Sequence, residues 1–537
     1  MKKIVFLLLL MFSCAVMNVS ANAKEIYIDS GASGSGTVFR SLEAAKEYIR
    51  TINSDMKEDI IVHIRSGEYR VPKTITFTQR DSATNGHRII YRGEGQTAPV
   101  ISGGEKITGW KLSDPEKNIY SACAKGIDAR AFFVNGKCAV RARSENWWLN
   151  DQMSFTQDKN GYVTTYTELA DWKNKTEIEL VYSNLWATPR VFVDSIVRDG
   201  DVAYITPNGL FATINSFKFA TMIKTNPFYF ENAYELLDQP GEFYIDKSTD
   251  TIYYIPQNGE NMETAEAVLP KLESVIEIQG SDADHKVNGI VFENISFQYS
   301  DWKFVSRTRG IYDRQANIPM RWFSDNFTTG EFTNPGIVNV QYAENCGFDK
   351  CEFSLSGGAG LKYSNAVQNS PITGNYVHDT YASGISVGEV NESSFFSAPN
   401  DKKYYTMGNH VMNNLITDVS KVYEGSCALF LGYINDTKIH HNEISYTPYS
   451  AVSLGWGWAI WASNSGYAND TQGTTIRDIS IKYNYIHNIG IGSMVDGGGI
   501  YMLGATGGSL SQMNQCSENY IKDIGKLGMA LYPDEGS

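Results

Sequence analysis

Hydrophobic and polar residues alternate along most of this chain in short runs, each closed by a glycine or an asparagine turn. The pattern is clearest in the C-terminal half. Asn375, Asn414, Asn442, Asn484 and Asn519 open the turns NYVHD, NLITD, NEISY, NYIHN and NYIKD, 28 to 42 residues apart. A brief strand follows each turn: SGISVG, CALFLG, SAVSLG, GGIYMLG and MALYP. Alternation with a period of two predicts strands whose side chains point in and out by turns. Recurrence of one turn-strand unit predicts a solenoid, because each unit buries its apolar face only against the next. The expected fold is all-β, a right-handed parallel β-helix. Ile385, Leu429, Val452, Ile500 and Leu531 hold the same place after each turn and are expected to stack as one inward ladder. A propeller is the rival all-β architecture. Its blades need four antiparallel strands joined by hairpins, whereas these strands are too short and their turns too unevenly spaced.

The pattern divides the chain into four parts. Residues 1–23 read as a secretory signal: Lys2 and Lys3, then an apolar stretch from Ile4 to Val16, then Ala21-Asn22-Ala23 as the cleavage site. A lipoprotein signal ending at Cys14 is the rival, but the apolar residues after it make a poor tether. Residues 24–105 read as the first coils. Within them Phe39–Ile52 places Leu42, Ala45, Ile49 and Ile52 at helical spacing, predicting a helix that caps the open end of the solenoid. Residues 106–270 lack the Asn turns and carry longer strands, including a hairpin turning at Lys247–Asp250, so they read as an inserted β-rich domain. Residues 271–537 are the main β-helix.

Charge and composition narrow the function. The chain has 537 residues, a formal charge of −14 and no run of Lys or Arg, which excludes a phosphate-binding surface and with it nucleic acid. After residue 23 no apolar stretch approaches the ~20 residues of a membrane helix. Six cysteines follow Cys14 at wide spacings without a CxxC, and read as small buried residues rather than a disulfide framework. No His/Cys/Asp set has zinc spacing and no calcium motif is present, so neither a metal nor a cofactor is expected.

Several motifs together resemble the exported bacterial β-helix proteins of glycoside hydrolase family 141. They are GEYRV…TITF…ISGG (Gly67–Gly104), FVNGKCAVRARSEN (Phe133–Asn146), ENAYELLDQPGEFYID…IYYIP (Glu231–Pro256), VDGGGIYMLG (Val495–Gly504) and LYPDEGS (Leu531–Ser537). The resemblance implies a secreted enzyme acting on plant cell-wall polysaccharide, either fucosides of pectic side chains or xylan, and relatives that continue past Ser537. It points to Asp496 and Asp534 as the catalytic carboxyls. Glycosidic cleavage needs two: an acid for the leaving oxygen, and a nucleophile or base. The residues themselves agree in part. Asp496 precedes three glycines, which are expected to let a ligand approach, and Asp534 ends a strand in the next repeat, one stacking distance away. A straight strand would nevertheless hold the two apart, because Asp496 lies five residues before Tyr501 and Asp534 two after Tyr532. Gly497–Gly499 must then turn the chain back, or Glu424 or Glu535 replaces one of the pair. Asp residues that only bind turn amides are the alternative. Glu424, Trp456, Trp458, Tyr501 and Glu535 are the expected substrate contacts, the indoles for sugar faces. His378, His440, His441 and His487 sit at turns and read as stacked turn residues.

Two other functions stay open. A polysaccharide lyase needs cations to neutralise a uronate, and after Arg321 only Arg477 remains. A non-catalytic carbohydrate-binding β-helix is the third reading.

Overall fold

The structure is a computed structural model. It describes residues 23–32, 34, 36–211, 226–319, 331–390, 401–456, 476–504, 512–534 and 537. Three long sheets, one of 11 strands and two of nine, run along the molecule, and their neighbouring strands pair in parallel. Consecutive strands of the chain fall on successive sheets. This is the parallel β-helix that the repeat predicts.

The asparagine turns explain how each coil bends. The residue before each Asn has a positive φ: Gly374 (69°), Asn413 (58°), His441 (57°), Tyr483 (60°) and Glu518 (57°). That conformation rotates the chain sharply from one sheet to the next, and Asn follows it inward. Each buried amide then donates to the next. Asn375 Nδ2 lies 2.9 Å from Asn414 Oδ1, Asn414 2.9 Å from Asn442, Asn442 3.0 Å from Asn484, and Asn484 2.8 Å from Asn519. The same Oδ1 atoms accept the backbone N–H of the preceding Asn, so the buried polar group of each turn is satisfied.

The predicted apolar ladder forms in register: Ile385↔Leu429, Leu429↔Val452, Val452↔Ile500 and Ile500↔Leu531. The first four are buried. Leu531 lies on the last strand of its sheet and is 51% exposed, because no described strand stacks on it. Full burial of such a side chain contributes about 1.5–3 kcal/mol. Aromatic residues stack in the same way, Phe292 on Phe348 at 5.4 Å and Phe297 on Phe353 at 5.3 Å.

At the N-terminal end a helix spans Leu42–Ile49, with the Ser41 hydroxyl accepting from the Ala44 N–H. It buries Leu42, Ala45 and Ile49 in the same core as Ile26 and Ile28 of the first strand.

The solenoid is interrupted after its first coils. Val100–Ser102 pairs with Ser296–Ser300, and Ile75–Phe77 with Ile276–Gln279, so coils far apart in sequence stack directly. Between Ser102 and Ile276 the chain builds separate, mostly antiparallel sheets, including the hairpin in which Asp246 faces Thr251. Gly310–Ile311, from the solenoid side, adds a strand to one of these sheets by pairing with Arg190 and Val191. Where the two parts meet lies a buried ionic cluster. Arg130 grips Glu179 with both guanidinium nitrogens at 2.7 and 2.8 Å, Arg141 joins Glu179 to Glu231 at 2.9 Å each, and Arg190 reaches Glu231 at 2.8 Å. Burial alone would raise the Glu179 carboxyl, but Arg130, Arg141 and Arg190 outweigh it and hold it below the usual range.

All six described cysteines are free thiols. Among the described residues no helix is long and apolar enough to cross a membrane.

Candidate active site

The site lies on the outer face of the nine-stranded sheet that carries the Leu429 ladder. Outward-pointing residues there run Lys362, Ser386, Phe430, Ser453, Tyr501 and Tyr532 on successive strands. Asp496 and Asp534 are both partly exposed beside this row.

Two tyrosines link each carboxylate to the adjacent coil. Tyr501 and Tyr532 are register partners, with ring centroids 5.2 Å apart and edge to face. Each donates its hydroxyl to the aspartate of the other coil. Tyr532 donates to Asp496 Oδ1 at 2.8 Å, and Tyr501 to Asp534 Oδ2 at 2.5 Å. Each aspartate is thus tied to the coil of the other. Asp496 has a φ of 60°, a strained conformation for a residue other than glycine, and its carbonyl accepts from the Tyr449 hydroxyl at 2.8 Å. The chain thus turns at Asp496 itself as well as in the glycines behind it.

Those glycines act differently from the expectation. A Cβ on Gly497 would lie 2.5 Å from Ser450 Oγ, and one on Gly499 2.8 Å from the Ala530 carbonyl. They admit the neighbouring coils rather than a ligand.

Glu424 stands nearby, partly exposed. Its Oε2 accepts from the Ser493 N–H at 2.9 Å and from its hydroxyl at 2.6 Å, three residues before Asp496. Two of the expected sugar contacts are corrected. Trp456 is only 3% exposed, packs on Phe430 and donates its indole N–H to Glu331 at 2.6 Å, so neither its face nor its N–H is available to substrate. Tyr501 is equally buried, and its hydroxyl is committed to Asp534. It orients a carboxylate instead of touching sugar. Trp458 and Glu535 lie outside the described residues. His378, His440 and His487 sit on strands of the other two long sheets, and His441 on the turn after His440, away from this wall.

Sequence reasoning missed Asp313 and Gln315. Asp313 is buried, accepts from the Thr188 N–H and hydroxyl at 2.7 and 3.3 Å, and is pushed up to about 7 by burial, against those hydrogen bonds. Gln315 Nε2 donates to the Tyr501 hydroxyl at 3.0 Å. Neither lies in a repeat, so no periodic signal marked them.

Comparison with known proteins now adds to this geometry. Residues 117–257 match the family model described as the GH141 insertion domain. A solved structure of a glycoside hydrolase is 26% identical, with a TM-score of 0.80 over 96% of this chain and 92% of that one. Two other solved structures are more distant. A complex of XylC with xylose is 11% identical, with a TM-score of 0.40 over 91% of this chain and 67% of that one. A family 28 exopolygalacturonase of Yersinia enterocolitica is 10% identical, with a TM-score of 0.33 over 96% and 67%. Both are too remote to bear on the chemistry. No protein of curated function matches the chain. The class is thereby defined as glycosidase. More narrowly, this chain is a GH141-like parallel β-helix protein whose solenoid is interrupted by that insertion domain.

Proposed function

We propose that this glycosidase is exported and cleaves glycosidic bonds in plant cell-wall polysaccharide, either fucosides of pectic side chains or xylan, with Asp496 and Asp534 as its carboxyl pair. The observation that carries the reading is the crossed pair of hydrogen bonds from Tyr532 to Asp496 and from Tyr501 to Asp534. Carboxyls that only satisfied turns would bond to their own backbone amides. These two instead take phenol donors from adjacent coils, remain partly open to solvent, and stand on a wall long enough for a polymer. One of the pair protonates the leaving oxygen while the other attacks the anomeric carbon or activates water. Glu424, fixed by Ser493, is placed to accept a sugar hydroxyl beside them.

The test is turnover on xylan and on fucosylated pectic oligosaccharide. Asp496→Asn and Asp534→Asn keep the side-chain shape but cannot donate a carboxyl proton or attack as an anion. Each should lower kcat by about 10³-fold or more with an unchanged melting curve. Glu424→Gln should cost less. Near-normal turnover in both Asp variants would remove the assignment. Products absorbing in the ultraviolet would identify a lyase, and binding without new reducing ends a carbohydrate-binding protein.

A further inference from the structure

One short stretch of the insertion domain anchors three of the segments that enter the site. The Leu185 carbonyl accepts the Val495 N–H at 2.8 Å, immediately before Asp496. Arg190 donates to the Val422 carbonyl at 2.8 Å and lies over the Tyr423 ring at 4.8 Å, immediately before Glu424. Thr188 holds Asp313 through its N–H and hydroxyl, and two residues later Gln315 reaches Tyr501. Gly425 completes the junction. A Cβ there would lie 2.8 Å from Asp313 Oδ2 and 3.3 Å from Thr188 Oγ1, so the chain beside Glu424 packs directly on the anchored carboxyl.

The chemistry of Tyr501 gives this anchoring a consequence. A phenol has one proton to donate. The Gln315 amide donates to the phenol oxygen, which leaves that proton for Asp534. The same amide faces the Tyr449 phenol, which bonds to the Asp496 carbonyl. Without the Gln315 donor, the Tyr501 hydroxyl is free to turn toward another acceptor, and Asp534 loses its constraint.

We infer that Asp313 and Gln315 are positioning residues of the active site, held there by Thr188 of the insertion domain, and that they act on catalysis through Tyr501 and Asp534. The inference rests on the reading of Asp496 and Asp534 as the carboxyl pair.

The experiment is steady-state kinetics on the full chain, using whichever of xylan or fucosylated pectic oligosaccharide the wild type cleaves. The variants are Gln315→Leu, Asp313→Asn, Tyr501→Phe and the two doubles that include Tyr501→Phe. Misplacement of a catalytic group by about 1 Å costs on the order of 100-fold. Gln315→Leu and Asp313→Asn should therefore lower kcat about 10- to 100-fold while KM changes less than about threefold. In the Tyr501→Phe background each should add less than about a twofold loss, since the step it acts through is already gone. Multiplicative losses in the doubles, or kcat within about twofold of wild type in either single variant, would overturn the inference. If Asp534→Asn and Asp496→Asn are inactive while Gln315→Leu is normal, only the positioning role fails. If both Asp variants stay active, the carboxyl assignment fails, and the positioning role with it.

Discussion

The asparagine ladder of the solenoid and the ionic cluster of the insertion domain bury polar side chains in different ways. Through the C-terminal coils of the solenoid runs a row of amides, each bonded to its counterpart one coil away, from Asn375 to Asn519. The cluster at the insertion domain is made of ions, with Arg130, Arg141 and Arg190 closed on Glu179 and Glu231. A repeated neutral ladder spreads its energy over many equivalent links, and losing one link leaves the others intact. A single ionic cluster has no second copy, and removing one member strands the rest in low dielectric. The contrast has a functional side. The ladder gives the wall its regular spacing, whereas Arg190 also bonds to the chain next to Glu424, so the cluster ties one fixed point of the insertion domain to the site.

Three measurements would sharpen or break this comparison. The largest effect is expected at Glu179. Glu179→Ala leaves Arg130 and Arg141 buried without their shared carboxylate, and should destabilise by about 3–5 kcal/mol in a denaturant titration. A cost of about 1–3 kcal/mol, the figure for one unsatisfied ladder amide, would mean the cluster is no different in kind from the ladder. The middle effect is expected at Asn442. Asn442→Ala strips the Asn414 N–H and amide of their acceptor, and should cost about 1–3 kcal/mol, with the parallel sheets retained by circular dichroism. A loss matching that of Glu179→Ala would erase the distinction.

The smallest effect is a dependence on pH at the solenoid surface. His378 lies between Asp379 at 2.7 Å and Glu352 at 3.1 Å. Burial lowers its pKa, but the two carboxylates outweigh burial and raise it from 6.5 to about 9. A histidine raised on folding adds stability that is fully present below 6.5 and lost as pH climbs through about 9. His378→Gln should therefore cost on the order of 1 kcal/mol at pH 6 and almost nothing at pH 10, the figure discounted for solvent screening. Equal melting differences at both pH values would contradict it.

The sequence by itself determined the fold of the solenoid and the two aspartates worth testing. Asn turns, alternating strands and the in-register ladder are local features repeated along the chain, and repetition makes them readable, since each coil meets only its neighbours. The motifs FVNGKCAVRARSEN and ENAYELLDQPGEFYID were visible as motifs. That they contribute Arg141 and Glu231 to one buried cluster was not, because no spacing in the chain announces an ion pair across 90 residues. Tertiary structure alone decided how the site is assembled. Tyr501 and Tyr532 pair as the ladder predicts, but each phenol reaches the aspartate of the other coil because the chain turns at Asp496, which the pattern of the strands does not specify. Trp456 is withdrawn from substrate because Glu331, 125 residues away, takes its N–H. Gln315 enters the site across 186 residues because the insertion domain holds Asp313 against Thr188. These contacts each occur once, between parts of the chain brought together only by folding, and so leave no period in the sequence to read.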